Sequence, residues 1–227
     1  MPSCQSRQRH ADPSASQAVK NALDPEQLAT IKAATDRVVE QILASDPQSL
    51  SGSGPGRMGK LPLRYSFGGV SGSGHHMTDP AWRMLIDLPT TTPILKAIFQ
   101  SDDYYCGGGG GDVCLPGAIE CQRLHADLLP MPDAHDIPGC PVLTINFAMT
   151  DLTPTNGPIR QIPGTHRSPE MLPRLHKDGP VIRQEMIGEE AKDVPVEEPW
   201  MRLSTVCPAP AGTAIFRDNR AWHSGTP

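Results

Sequence analysis

The apolar positions of this chain change their period partway along. In "DPEQLATIKAATDRVVEQIL" (24–43), Leu28, Ile31, Val38, Val39 and Ile42 recur at helical spacing, which predicts a helix with one buried face. Asp24 can cap it, Pro25 suits its first turn, and Gln27 completes a capping-box pattern. Shorter helices are expected at "DPAWRMLIDL" (79–88) and "TTPILKAIFQS" (91–101). From about residue 118 the texture shifts to short apolar runs between turn signals: "AIECQRLHA", "PVLTINFAMT", "PIRQIPG", "PVIRQEMI", "LSTV" and "GTAIFRD". Such runs predict the strands of a sandwich or barrel. Residues 45–60 and 68–74 read as Gly/Ser/Pro loops, "CGGGGGD" (106–112) as a flexible turn, and residues 1–23 as a polar, disordered tail. No internal repeat is present. The expectation is mainly β with flanking helices: one domain over 24–227, helical in 24–117 and β in 118–227.

Composition narrows the class. The chain has 227 residues, enough for one sizeable core. Only 4% are aromatic against 37% hydrophobic, so that core must be largely aliphatic. Pro (25) and Gly (21) fill about a fifth of the chain without a triplet period, which fits many turns rather than collagen. The net charge of −5 and the lack of Lys/Arg runs argue against nucleic acid and membrane surfaces as partners. No apolar stretch reaches the ~18 residues of a membrane span, and the first twenty residues lack the apolar middle of a secretory signal. A cytoplasmic location is expected. The cysteines (Cys4, Cys106, Cys114, Cys121, Cys140, Cys207) have irregular gaps and no C-x-x-C pair, so they read as reduced thiols.

Several motifs fail on inspection. "GPGRMGKL" (54–61) approaches a phosphate-binding loop, but Leu61 replaces the metal-binding hydroxyl, no apolar strand precedes it, and Pro62 breaks the following helix. His75 and His76 are adjacent, so on a strand they face opposite ways. "DAHD" (133–136) lies in a Pro-rich stretch that fixes no geometry, and His176 reads as a surface residue.

"QRLHADLLP" (122–130) is different. On a strand, His125 and Asp127 at i and i+2 share a face. The segment "GTAIFRDNRAWHSGTP" adds His223 at the start of a strand near the other end of the chain. A β barrel can bring strands that distant together. Two imidazoles and one carboxylate form the facial triad of non-haem Fe(II) oxygenases, which leaves three positions of an octahedron for a bidentate co-substrate and O₂. A zinc hydrolase or a metal-dependent isomerase could use the same ligands, so the triad alone leaves the metal open.

The stretch between the triad ends narrows the choice. His125-Ala126-Asp127, the apolar run after it, Asn156-Gly157, Pro163-Gly164-Thr165-His166 and the aliphatic run leading to His223 resemble the phytanoyl-CoA dioxygenase family in order and spacing. The resemblance covers 24–227 and is strongest over 119–227. It implies a double-stranded β-helix (a cupin-like jelly roll) and an Fe(II)- and 2-oxoglutarate-dependent oxygenase using O₂ on a small-molecule substrate. It implies His125, Asp127 and His223 as catalytic metal ligands and Gln122 as a 2-oxoglutarate contact. Strand parity opposes Gln122, which would face away from His125 unless a bulge intervenes. Related halogenases carry a small residue in place of the aspartate, so Asp127 implies hydroxylation or a related oxidation, not halogenation.

Other positions get plainer readings. Asn156-Gly157 forms a turn, His166 orders the loop after it, Arg160 is an exposed strand residue, and Phe216 and Trp222 are core or pocket wall. In the family a basic residue beyond the distal histidine grips the far carboxylate of 2-oxoglutarate. The sequence ends at Pro227, before such a position. The expectation is therefore a jelly roll incomplete at its C-terminus, binding 2-oxoglutarate weakly, or a binding protein that keeps the metal site as a relic.

Overall fold

The computed structural model describes residues 16–46, 63–68, 76–127, 139–167, 181–182 and 204–227. The phosphate-loop lookalike, His75, "DAHD" and His176 lie outside these residues.

Helix α1 (Pro25–Ser45) forms as its pattern predicts. The Asp24 carboxylate accepts from the Gln27 amide at 2.8 Å, and the Gln27 side chain accepts from the Asp24 amide at 3.0 Å. Two donors that the first helical turn leaves unpaired are thereby satisfied. Ile31 and Ala34 are buried, with Leu28, Val38 and Ile42 packed around Phe67, Trp82 and Leu88. Helix α2 (Pro80–Arg83) continues into a tighter turn at Met84–Ile86, and α3 (Thr92–Phe99) follows.

The described strands are β1 (Ser16–Val19), β2 (Arg64–Gly68), β3 (Gly110–Cys114), β4 (Glu120–Cys121), β5 (Leu143–Phe147), β6 (Ile159–Gln161), β7 (Val181–Ile182), β8 (Thr205–Val206), β9 (Ala214–Asp218) and β10 (His223–Gly225). They pair antiparallel as β1-β9-β5, β10-β6-β8, β2-β3 and β4-β7, and none of these sheets closes into a barrel among the described residues. The fold is mainly β with few helices. Strand β9 is its axis, buried along its whole length. Ala214 and Phe216 pack with Leu95 of α3 on one face. Ile215 and Arg217 take the other face by strand alternation.

Two expectations are corrected. Residues 16–19, read as part of a disordered tail, form β1 and pair with β9 from Ser16↔Arg217 to Val19↔Ala214. A short polar strand without a periodic face gives no local signal, because its stability comes from β9. The glycine run 106–112 is not wholly a loop, since Gly110 and Gly111 belong to β3 opposite Phe67 and Gly68 of β2. A Cβ on Gly110 would collide with the Phe67 carbonyl oxygen, and one on Gly111 would lie 2.7 Å from the Phe67 ring. Glycine here allows close approach of two strands.

The five described cysteines are free thiols. Among the described residues no helix is long and apolar enough to cross a membrane.

Candidate metal centre

The segment 122–127 runs beside β10, but as irregular backbone rather than a strand. The Gln122 amide donates to the Gly225 carbonyl at 3.0 Å, and the Asp127 amide to the Asn219 carbonyl at 2.9 Å. Between them His125 makes an isolated antiparallel bridge to His223. Alternation still holds locally: Leu124 and Ala126 are buried, whereas His125 and Asp127 face the open side. Apolar side chains thus anchor the segment in the core and turn the polar pair outward.

This arrangement brings the three predicted residues together. One donor atom from each of His125, Asp127 and His223 lies within 4.8 Å of the others. Asp127 Oδ1 is 3.5 Å from His125 Nε2, and Oδ2 is 3.4 Å from His223 Nε2. The two imidazole rings are 4.4 Å apart. His223 is buried and Asp127, with 35% of its side chain exposed, forms the open side.

The donor chemistry fits a divalent transition metal. His125 Nδ1 donates to the Arg123 carbonyl at 3.0 Å, and His223 Nδ1 lies 2.9 Å from the Ala221 carbonyl. A carbonyl oxygen only accepts, so His125 Nδ1 carries the proton and its Nε2 lone pair faces the cluster; His223 Nδ1 lies between the Ala221 carbonyl and the Arg217 Nη1 donor, which ask for opposite tautomers. Such outer hydrogen bonds orient metal-ligating histidines. Burial, with the Arg217 cation and His125 adding to it, holds His223 well below the usual imidazole range, which keeps it neutral. Burial works to raise the Asp127 carboxyl, but the neighbouring imidazoles and the Arg217 guanidinium, 3.1 Å from Oδ2, outweigh it. The group stays well below the usual carboxylate range and is ionised.

Gln122 also reaches the cluster. Its Nε2 is 3.5 Å from His125 Nε2, and its Oε1 accepts from the Gly225 amide at 3.2 Å. The parity objection does not apply, because residues 122–124 are irregular backbone and not a regular strand. A local irregularity of this kind puts residues three apart on one side.

Arg160 corrects its exposed reading. It is 1% exposed, and its Nε donates to Ser224 Oγ at 2.5 Å while Nη2 donates to the Gln122 carbonyl at 3.1 Å. The long stem lies in the core and the guanidinium ties β6, β10 and the 122–127 segment together. His166 is buried in a tight turn (Thr165–Arg167), away from the cluster. Its neighbour Thr165 orders the histidine strand, because Thr165 Oγ1 accepts from the Trp222 amide at 2.9 Å. Asn156-Gly157 forms the expected turn, with positive φ at Gly157 alone (83°). Trp222 and Phe216 are core residues. His76 is not a free loop residue, since its ring stacks on Trp82 at 5.0 Å.

The residue that sequence reasoning missed is Arg217. It is 5% exposed, and its Nη1 donates to Asp127 Oδ2 at 3.1 Å and touches His223 Nδ1 at 2.7 Å. Its one signal was a charged residue inside the apolar run "GTAIFRD".

A family model described as phytanoyl-CoA dioxygenase (PhyH) matches residues 17–227. The chain belongs to this family, whose enzymes use Fe(II), 2-oxoglutarate and O₂. No curated protein matches it in sequence. Among solved structures it is similar to the non-heme alpha ketoglutarate dependent epimerase SnoN from nogalamycin biosynthesis, with a TM-score of 0.48 and 16% identity over 94% of this chain and 70% of that one. It is also similar to SnoN in complex with Fe³⁺, alpha ketoglutarate and nogalamycin RO, with a TM-score of 0.48 and 16% identity over 94% of this chain and 73% of that one.

Proposed function

We propose that this chain is a non-haem Fe(II)- and 2-oxoglutarate-dependent dioxygenase that hydroxylates a small organic or acyl substrate. His125, Asp127 and His223 are its metal ligands and Gln122 contacts the co-substrate. One domain over 24–227 carries the activity. The observation that supports this best is the donor set: the Nε2 atoms of two imidazoles gathered around one ionised carboxylate, in a family of Fe(II) enzymes.

When bound, the metal with 2-oxoglutarate and O₂ supplies an oxidant, with succinate and CO₂ as co-products and one oxygen atom left on the substrate carbon. The chain's own part is geometric and electrostatic. His125, Asp127 and His223 donate from one side and leave the opposite side of the ion to ligands. The Gln122 amide, held by the Gly225 N–H, offers Nε2 to a co-substrate oxygen. Leu124, Ala126 and Trp222 back the ligands with apolar bulk and keep water from behind them.

The test is anaerobic titration of the purified chain with Fe(II) and 2-oxoglutarate, following the weak visible charge-transfer band. The band is expected for the wild type and absent for Asp127→Ala. Metal binding that survives Asp127→Ala, or turnover that needs no O₂, would reject the reading.

A further inference from the structure

Arg217 reaches the proposed metal ligands from β9, a strand buried along its whole length. Strand alternation turns it away from the Ala214–Phe216 face and toward β10. Its Nη1 holds one carboxylate oxygen, Asp127 Oδ2, at 3.1 Å. Its Nε is buried with no hydrogen-bond partner among the described residues. So a desolvated cation stands beside a site that binds a dication. Such a group cannot be there to tighten metal binding, because like charges repel in a low dielectric.

A carboxylate has two oxygens, and both can bind one metal ion. A bidentate aspartate would take one of the positions that a chelating co-substrate needs. Each oxygen lies near one imidazole, Oδ1 at 3.5 Å from His125 Nε2 and Oδ2 at 3.4 Å from His223 Nε2, but Oδ2 alone is also engaged by the buried guanidinium.

We propose that Arg217 is a positioning residue that keeps Asp127 a one-oxygen ligand: it holds Oδ2, leaves Oδ1 to the metal, and so preserves an open coordination position for the co-substrate. This rests on the reading of His125, Asp127 and His223 as a metal site. The chemistry of the vacated position is that of a bidentate 2-oxo acid, which binds through adjacent carboxylate and keto oxygens.

The alternative role, a purely structural partner for Asp127, makes the opposite forecast for the metal. Loss of a structural partner loosens the carboxylate and weakens metal binding. Loss of a positioning residue frees a second oxygen and removes a repelling charge, so the metal binds as well or better while the co-substrate loses its place.

The experiment uses the full chain and its Arg217→Met and Arg217→Gln variants. Each is titrated with Co(II) by absorbance, and the Co(II)-loaded protein is then titrated with 2-oxoglutarate. Co(II) affinity is expected to be unchanged or higher in the variants, with 2-oxoglutarate affinity lower by about tenfold or more. X-ray absorption of the Co(II)-loaded wild type is expected to show one carboxylate oxygen on the metal, and of Arg217→Met two. Two carboxylate oxygens in the wild-type spectrum would overturn the inference even if neither variant folds. Two carboxylate oxygens in the wild type, unchanged 2-oxoglutarate affinity in the variants, or weakened Co(II) binding in them would each overturn the inference and leave the metal site standing. A wild type that takes up no Co(II) would sink the metal-site reading and the inference with it.

Discussion

His125 and His223 face each other as a reciprocal backbone pair. The His125 amide donates to the His223 carbonyl at 3.0 Å, and the His223 amide donates back to the His125 carbonyl at 2.8 Å. A hydrogen-bonded antiparallel pair places its two side chains on the same face, with the backbones at fixed separation. The spacing of the two imidazoles is therefore set by main-chain bonds, before any metal arrives. If the two imidazoles hold the proposed metal, this is preorganisation, since little rearrangement is then needed to bind it.

The burial alternation separates packing from chemistry. Leu124 is 1% exposed, so Leu124→Ala is expected to cost about 2–5 kcal/mol in stability. His125→Ala, at a position facing the open side, is expected to cost less stability and to lose metal binding. Urea unfolding beside Co(II) titration checks both. Equal losses of stability, or metal binding retained in His125→Ala, would contradict the assigned faces.

Gln122 tests the co-substrate contact separately from the metal. Gln122→Leu keeps the side chain's bulk but removes both the acceptor for the Gly225 amide and the amide near His125. Metal affinity is expected to stay close to wild type, with 2-oxoglutarate binding weakened by roughly tenfold, the size of one lost hydrogen bond to a charged group. Calorimetric titration of 2-oxoglutarate into the Co(II)-loaded variant measures it.

Gly225 lies where an added Cβ would collide with the Arg64 guanidinium. Arg64 is 4% exposed and donates to the Thr226 carbonyl, so it has no easy route out of the way. Gly225→Ala is expected to shift β10 and lower both the melting temperature and the metal affinity. Adding Arg64→Ala should recover part of the loss through the space it opens. A fully stable Gly225→Ala protein would show that the guanidinium moves freely.

Cys140 gives a pH signature. Burial first, then the charge of Asp218 beside it, pushes its thiol up to about 12. At pH 8 it is expected to resist iodoacetamide while exposed Cys106 reacts. An unfolded cysteine ionises near 8.5. The unfolded chain thus loses this proton first, and the stability tied to it falls as pH rises above about 8.5. Asp218→Asn is expected to speed Cys140 alkylation. Mass-spectrometric mapping across pH reads both outcomes.

The amino-acid sequence by itself determined what local patterns can encode. The capping box and apolar face of α1, the short strands after residue 118, and the i, i+2 pairing of His125 with Asp127 were legible because each depends on near neighbours. His223 was singled out from its strand segment, and the family resemblance supplied the choice of iron among the metals such a triad could hold. Tertiary structure decided the rest. Strand β1 exists because β9 has a free edge beside it, and the glycine-rich β3 exists because Phe67 and Gly68 lie close across from it. Gln122 can reach His125 because residues 122–124 are irregular backbone beside β10 and not a regular strand. Arg160 and Arg217 look like surface residues in sequence, since a charged side chain is normally solvated. They are buried because distant segments bring acceptors to them: Ser224 and the Gln122 carbonyl for one, Asp127 for the other. Partners so remote in the chain leave no periodic trace, because their bond energies belong to the packed fold and not to any local stretch of sequence.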